Sequence, residues 1–159
     1  MSSNPFKNLG FLGEFIHTLD PQQRVAIPSV WRQCVPEGAF LAIPGSDNDV
    51  LLFPPDYLTC LMENARKDPF NAETHMTLKK FGANSRAVVC DKQGRITLDK
   101  HLMTKLGDCT KGIRMTGAVT HINLESADNC SGYDPAEDAM TLDLLRKLTN
   151  PAEGGSNGE

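Results

Sequence analysis

Residues 14–28 of this chain are written again, with substitutions, at residues 85–99, and this duplication limits the possible folds more than any other feature. The first copy reads Glu-Phe-Ile-His-Thr-Leu-Asp-Pro-Gln-Gln-Arg-Val-Ala-Ile-Pro. The second reads Ser-Arg-Ala-Val-Val-Cys-Asp-Lys-Gln-Gly-Arg-Ile-Thr-Leu-Asp. Asp20 matches Asp91, Gln22 matches Gln93, Arg24 matches Arg95, Val25 matches Ile96 and Ile27 matches Leu98, each pair 71 positions apart. Both copies share one physical grammar. A short, largely apolar strand enters a turn, and an alternating strand beginning with arginine leaves it. Asp20 and Asp91 open the turns, where a carboxylate can accept from backbone N–H groups two residues on, and Gly94 supplies a positive φ. The apolar residues after each arginine alternate toward one face, which turns Arg24 and Arg95 to the other, toward solvent or a ligand.

The same grammar continues beyond the turns. Short helical stretches are expected at Ser29–Cys34 and Lys100–Leu106, the second halted by Gly107. Hairpins follow in each half: residues 39–44 with 50–53, and residues 112–115 with 120–124 around a turn at Thr116-Gly-Ala. Pro55 opens a helix in which Leu58, Leu61, Met62 and Ala65 share a face. A second helix covers Ala72–Phe81, and a last one, with Asp134 as its cap, covers about 135–148. With 159 residues and 40% hydrophobic content the chain is one domain's worth of sequence, and neither half buries a core alone. The expected fold is α+β, a small pseudo-twofold β-barrel of two tandem hairpin repeats with flanking helices. Its parts are a flexible extension at 1–10, a first repeat at 11–64, a connecting helical segment at 65–83, a second repeat at 84–126, and a helix with a disordered tail at 127–159.

Composition narrows the function classes. No apolar run is long enough to span a membrane, and the amino terminus lacks the basic-then-apolar shape of a secretory signal. Five widely spaced cysteines without a Cys-x-x-Cys pair fit reduced thiols in a cytoplasm. Cys34, Cys60 and Cys90 read as buried small hydrophobes, and the four histidines are scattered. Neither a metal site, nor a phosphate-cradling glycine loop, nor a catalytic constellation emerges, so an enzyme and a cofactor are not expected. The net charge is −4, yet residues 66–114 hold eleven Lys/Arg against five Asp/Glu. A basic middle between acidic flanks permits a positive face toward phosphate, although charge alone points first to a merely solvated surface. A lone Trp in a short helix, as Trp31 is, is more often a core or subunit-interface residue than a base-stacking platform.

These residues resemble the MraZ family of bacterial transcription regulators, whose halves are similar to the AbrB-type swapped-hairpin DNA-binding fold. The resemblance rests on Phe11-Leu-Gly13, on Leu19-Asp20-Pro-Gln-Gln-Arg24-Val-Ala-Ile-Pro28-Ser-Val-Trp-Arg32, on Asp91-Lys-Gln-Gly94-Arg95, and on Asp68-Pro-Phe-Asn and Phe81-Gly-Ala between them. It covers roughly residues 11–126. Three departures stand out. Gln22 and Gln23 occupy the first turn where the family usually carries Lys and Gly, Asp99 stands where Pro is expected, and Met103 stands where a closing Arg would be. The first turn thereby loses a charge and an easy positive φ, which bears on phosphate contact and on the DNA sequence read.

The resemblance implies a cytoplasmic, nucleoid-associated regulator that binds double-stranded DNA at repeats upstream of its own division and cell-wall operon. It also implies a homo-oligomeric ring such as an octamer, with no membrane partner. Arg24 and Arg95 are then contacts to phosphate or a guanine edge, and Gln22 or Gln23 to an adenine edge. Lys92, Arg86 and Lys100 are phosphate contacts, and Arg32, the closing arginine of the first motif, joins the DNA-contacting set. Asp20, Asp91 and Gly94 shape the turns. Two alternatives stay open: the arginines brace the turns by pairing with Asp20 and Asp91, or the chain is a ring-forming scaffold with weak or lost DNA binding.

Overall fold

Alternating burial makes the two copies of the repeat pair with each other. The computed structural model describes Pro5, residues 10–129 and residues 135–150. The rest of the expected extension at 1–10, the Asp134 cap and the tail at 151–159 lie outside the described residues. Strand β1 (Glu14–His17) leads through the first turn to β2 (Arg24–Ala26), and β5 (Arg86–Val89) leads through the second to β6 (Arg95–Thr97). Val25 and Ile96 face each other at the centre of an antiparallel β2–β6 ladder, both fully buried. Because these residues are repeat equivalents, their pairing places a pseudo-twofold axis between the halves. Ile27 and Leu98, two residues on, are also buried, as strand alternation requires.

The remaining strands form one six-stranded antiparallel sheet. Its members are β3 (Ala39–Pro44), β4 (Asp49–Phe53), β7 (Ile113–Gly117), β8 (Ile122–Ser126), β1 and β5. The order is β1-β7-β8-β4-β3-β5, which reads the same from either end once the halves are exchanged. Each half gives its first strand to the other half's hairpin: β1 pairs with β7, with Phe15 opposite Met115, while β5 pairs with β3, with Arg86 opposite Ala42. Neither half can therefore complete its own sheet. The core between sheet and β2–β6 ladder holds Phe40, Leu52, Leu102, Leu106, Ile113, Met115 and Leu124 beside the ladder residues. Trp31 belongs to it, 1% exposed, with edge contacts to Phe11 and Phe15 and its indole N–H donating to the Leu12 carbonyl at 3.0 Å. That burial removes the base-stacking role.

The α+β class stands, but the strands do not close into a barrel. Among the described residues β2 and β6 bond only to each other, so the large sheet keeps free edges at β1 and β5. Helices α1 (Ser29–Arg32) and α4 (Lys100–Leu106) follow the ladder strands, with Gly107 at φ 76° ending the second. Helix α2 (Pro55–Ala65) packs on β3, as does α3 (Ala72–Asn84), which runs three residues past its expected end. Neither helix contains a buried residue. Leu58, Leu61, Met62 and Ala65 share a face, as expected, and with Leu78 and Phe81 they line an open apolar groove of about 530 Å³. Cys60, expected inside, is exposed on α2, and Cys34 and Cys90 are half-buried. Strand β7 runs through the expected turn at Thr116-Gly-Ala, so the hairpin reverses at 118–121. Helix α5 (Pro135–Thr149) belongs to a separate unit, residues 130–159.

The buried pair on the axis should be the most sensitive point of the fold. Ile96→Ala is expected to cost roughly 2–5 kcal/mol, and Val89→Ala, on an exposed edge position, less than about 0.5 kcal/mol. Urea unfolding of the two variants decides it, and equal losses would contradict a core centred on the β2–β6 ladder.

Candidate nucleic-acid interface

The β2–β6 ladder brings the two aspartate–arginine turns together. In the first turn the backbone N–H groups of Gln22 and Arg24 both donate to Asp20 Oδ1, each at 2.9 Å. In the second, those of Gln93 and Arg95 donate to Asp91 Oδ1 at 2.9 and 3.0 Å. The turns then extend the ladder at both ends. The Ile27 N–H donates to the Gly94 carbonyl at 2.9 Å, and the Leu98 N–H to the Gln23 carbonyl at 2.8 Å. Each turn is thus tied to the strand of the opposite repeat.

The remaining carboxylate oxygens hold the arginines, and they do so across the axis. Asp20 Oδ2 accepts from Arg24 Nε at 2.6 Å and lies 3.5 Å from Arg95 Nη1. Asp91 Oδ2 accepts from Arg95 Nε at 3.1 Å and lies 4.0 Å from Arg24 Nη1. Two carboxylates and two guanidiniums form one neutral, crossed network, and the arginine side chains are 29% and 25% exposed. Sequence alternation correctly turns them away from the core, but they are braced and largely covered.

The other expected contacts differ in their settings. Gln22, Gln23 and Lys92 are exposed on the turns. Gln23 adopts φ 60°, the conformation that its counterpart Gly94 takes at 78°. Arg32 donates from Nε to the Ile27 carbonyl at 2.9 Å, and its guanidinium lies over Gly94, where an added Cβ would sit 2.5 Å from Cζ. Lys100 is exposed at the start of α4. Arg86 is committed elsewhere: Nε donates to Asp99 Oδ2 at 2.7 Å, and Nη1 to the carbonyls of Ala83 and Ser85. Among the described residues it shares no hydrogen bond or ion pair with the turn network. Asp99 also caps α4, accepting from the Leu102 N–H at 2.9 Å, which is what the residue in the expected proline position does here. The Arg32–Gly94 contact was not foreseen; its signal was the joint departure of their repeat equivalents, Met103 and Gln23.

The same geometry sets the carboxylate titrations. Burial raises the Asp20 carboxyl, but the Arg24 N–H and guanidinium and the Gln22 N–H outweigh it and hold it below its ordinary value. The Asp91 carboxyl is lowered chiefly by the Arg95 N–H, against an opposing effect of burial. A carboxyl lowered on folding contributes stability above its unfolded pKa of about 3.9, and that contribution is lost as pH falls through the lower folded value. Acid should therefore destabilise the wild type from about pH 4 downward. Asp20→Asn should be less stable at neutral pH and show a flatter acid limb. Urea midpoints measured between neutral and strongly acidic pH check both, and parallel limbs would remove Asp20 from the acid response.

No protein-family model matches the chain. It is similar to several proteins named transcriptional regulator MraZ. The Clostridium tetani protein is 30% identical over 127 residues, covering 79% of this chain and 88% of that protein. The Heliobacterium modesticaldum protein is 30% identical over 141 residues, covering 87% and 96% respectively. The Carboxydothermus hydrogenoformans protein is 27% identical over 141 residues, covering 88% and 97%. With its duplicated Asp–Arg turns and near-full-length similarity to these relatives, the chain belongs to the MraZ family of transcriptional regulators.

Proposed function

We propose that the chain is a sequence-specific DNA-binding regulator that acts as a homo-oligomeric ring on repeats upstream of its own division and cell-wall operon. The observation that carries this reading is the placing of two arginine-bearing turns side by side by the β2–β6 ladder. Paired guanidiniums whose Nε atoms are held by carboxylates present their remaining N–H groups in a fixed fork, suited to phosphate or a guanine edge. Gln22 and Gln23, exposed beside them, offer the amide donor and acceptor that an adenine edge requires. The relatives are named transcriptional regulators, which agrees with a DNA partner.

Assembly is the second part of the proposal. Ile16 and Val89 are exposed on the two free edge strands, and Leu58, Met62 and Met76 on α2 and α3. Apolar surface of this kind is what contacts between copies would cover. A ring suits weak individual sites, because subunits that reach successive repeats gain by effective concentration. A location in the cytoplasm at the nucleoid follows from the same reading; no helix among the described residues is long and apolar enough to cross a membrane.

Fluorescence anisotropy tests the proposal directly. DNA from upstream of the protein's own gene and a scrambled duplex are titrated across a salt series. Preference for the upstream DNA, weakening steeply with salt, is the expected result. Arg24→Ala and Arg95→Ala should each weaken that binding by about 1–3 kcal/mol while circular dichroism stays unchanged. No preference even at low salt would leave the ring-forming scaffold as the better reading, with the neutral Gln22–Gln23 turn as its cause.

A further inference from the structure

The two turns share a backbone design but differ in what lies against them. We propose that Arg32, seated on Gly94, together with Lys92, makes the principal phosphate contact of each subunit, and that the first turn has no equivalent seat. The assignment rests on the DNA-binding reading above and says where on that surface the charge resides.

Asp20, Asp91, Arg24 and Arg95 cancel one another, so the crossed network adds no net charge to the surface it occupies. Arg32 is different. Its Nε is fixed by the Ile27 carbonyl, its guanidinium rests on the Gly94 backbone, and no carboxylate lies within ion-pair distance of it among the described residues. A guanidinium held at one edge and left with its charge uncompensated is ready to receive a phosphate oxygen. Lys92, exposed on the same turn, adds a second uncompensated charge.

Applying the 71-residue offset shows what the first turn lacks. The equivalent of Gly94 is Gln23, which carries the Cβ that a seated guanidinium excludes. The equivalent of Arg32 is Met103, which packs against the core. The equivalent of Lys92 is Pro21. Glycine and arginine occur together on one side and are replaced together on the other, as expected if each seat needs both. Lys100, exposed at the start of α4, has no glycine seat. Each subunit would meet DNA with one charged turn and one neutral, amide-bearing turn, which gives it a direction on the duplex.

The test uses the full-length protein, the upstream duplex and the salt series. Arg32→Met installs the residue that the opposite half already tolerates. It should lower affinity and make the salt slope shallower by about one for each engaged subunit, with Lys92→Gln doing the same. The double variant Gln23→Gly with Met103→Arg should build a second seat and steepen the slope, whereas Met103→Arg alone should not. Thermal melts confirm that each variant is folded. Unchanged affinity and slope in both Arg32→Met and Lys92→Gln, while Arg24→Ala and Arg95→Ala weaken binding, would overturn the seat and keep the DNA reading. Wild-type protein that binds neither duplex at low salt would overturn the DNA reading, and the seat with it.

Discussion

The antiparallel pairing of β2 with β6 is the constraint on which the rest of the molecule depends. It joins residues 71 apart, closes the core beneath them with Val25 and Ile96, and carries the two turns to one surface. Backbone bonds from Ile27 to Gly94 and from Leu98 to Gln23 prolong the ladder into the turns themselves. The carboxylates then complete the job that the backbone begins: each binds its own turn through one oxygen and both arginines through the other. Strand exchange makes this arrangement obligatory. Because β1 lies in the sheet of the second hairpin and β5 in that of the first, separating the halves would expose edges and core together.

Local chemistry was legible in the sequence, and long-range partnership was not. The turns could be read because Asp, Gly and Arg act within five residues, and α4 because Gly107 stops it. Helix α2 shows the limit of periodicity. Leu58, Leu61 and Met62 do share a face, but a 3.6-residue repeat says nothing of what covers that face, and here it borders an open groove. Closure into a barrel failed as an expectation for the same reason, since strand alternation marks an inward face without naming the neighbour across the ladder. Gly117 differs again: a glycine between Thr116 and Ala118 predicts a turn, whereas it stays in β7, with the Phe11 backbone 2.6 Å from where a Cβ would be, and the reversal falls on Val119 at φ 66°.

At the candidate interface the arginines were identifiable from their place after each turn, but their crossed carboxylates needed the fold. Arg24 reaches Asp91, and Arg95 reaches Asp20, only because the ladder has already been formed. Arg86, too, is held by its fold: three protein acceptors engage its Nε and Nη1, while 35% of its side chain stays exposed. Counting positive residues therefore overstates the charge available to a ligand, and the useful quantity is the charge left after internal pairing.

That distinction reconciles an acidic chain with an anionic partner. The net charge of −4 is a property of the whole sequence, whereas a phosphate at the turns feels mainly charges within a screening length of about 8 Å at physiological salt. Within the turn network the pairs cancel, and the remaining local charge is, on the assignment proposed above, chiefly that of Arg32 and Lys92. A subunit with so few uncompensated charges gains little electrostatic affinity by itself. On the proposed function, such weakness would suit a regulator that must release non-specific DNA, provided that several copies act together on repeated sites. If the turns meet DNA as proposed, having Gly and Arg at one turn and neither at the other would lower non-specific attraction, while the crossed network keeps both turns in register.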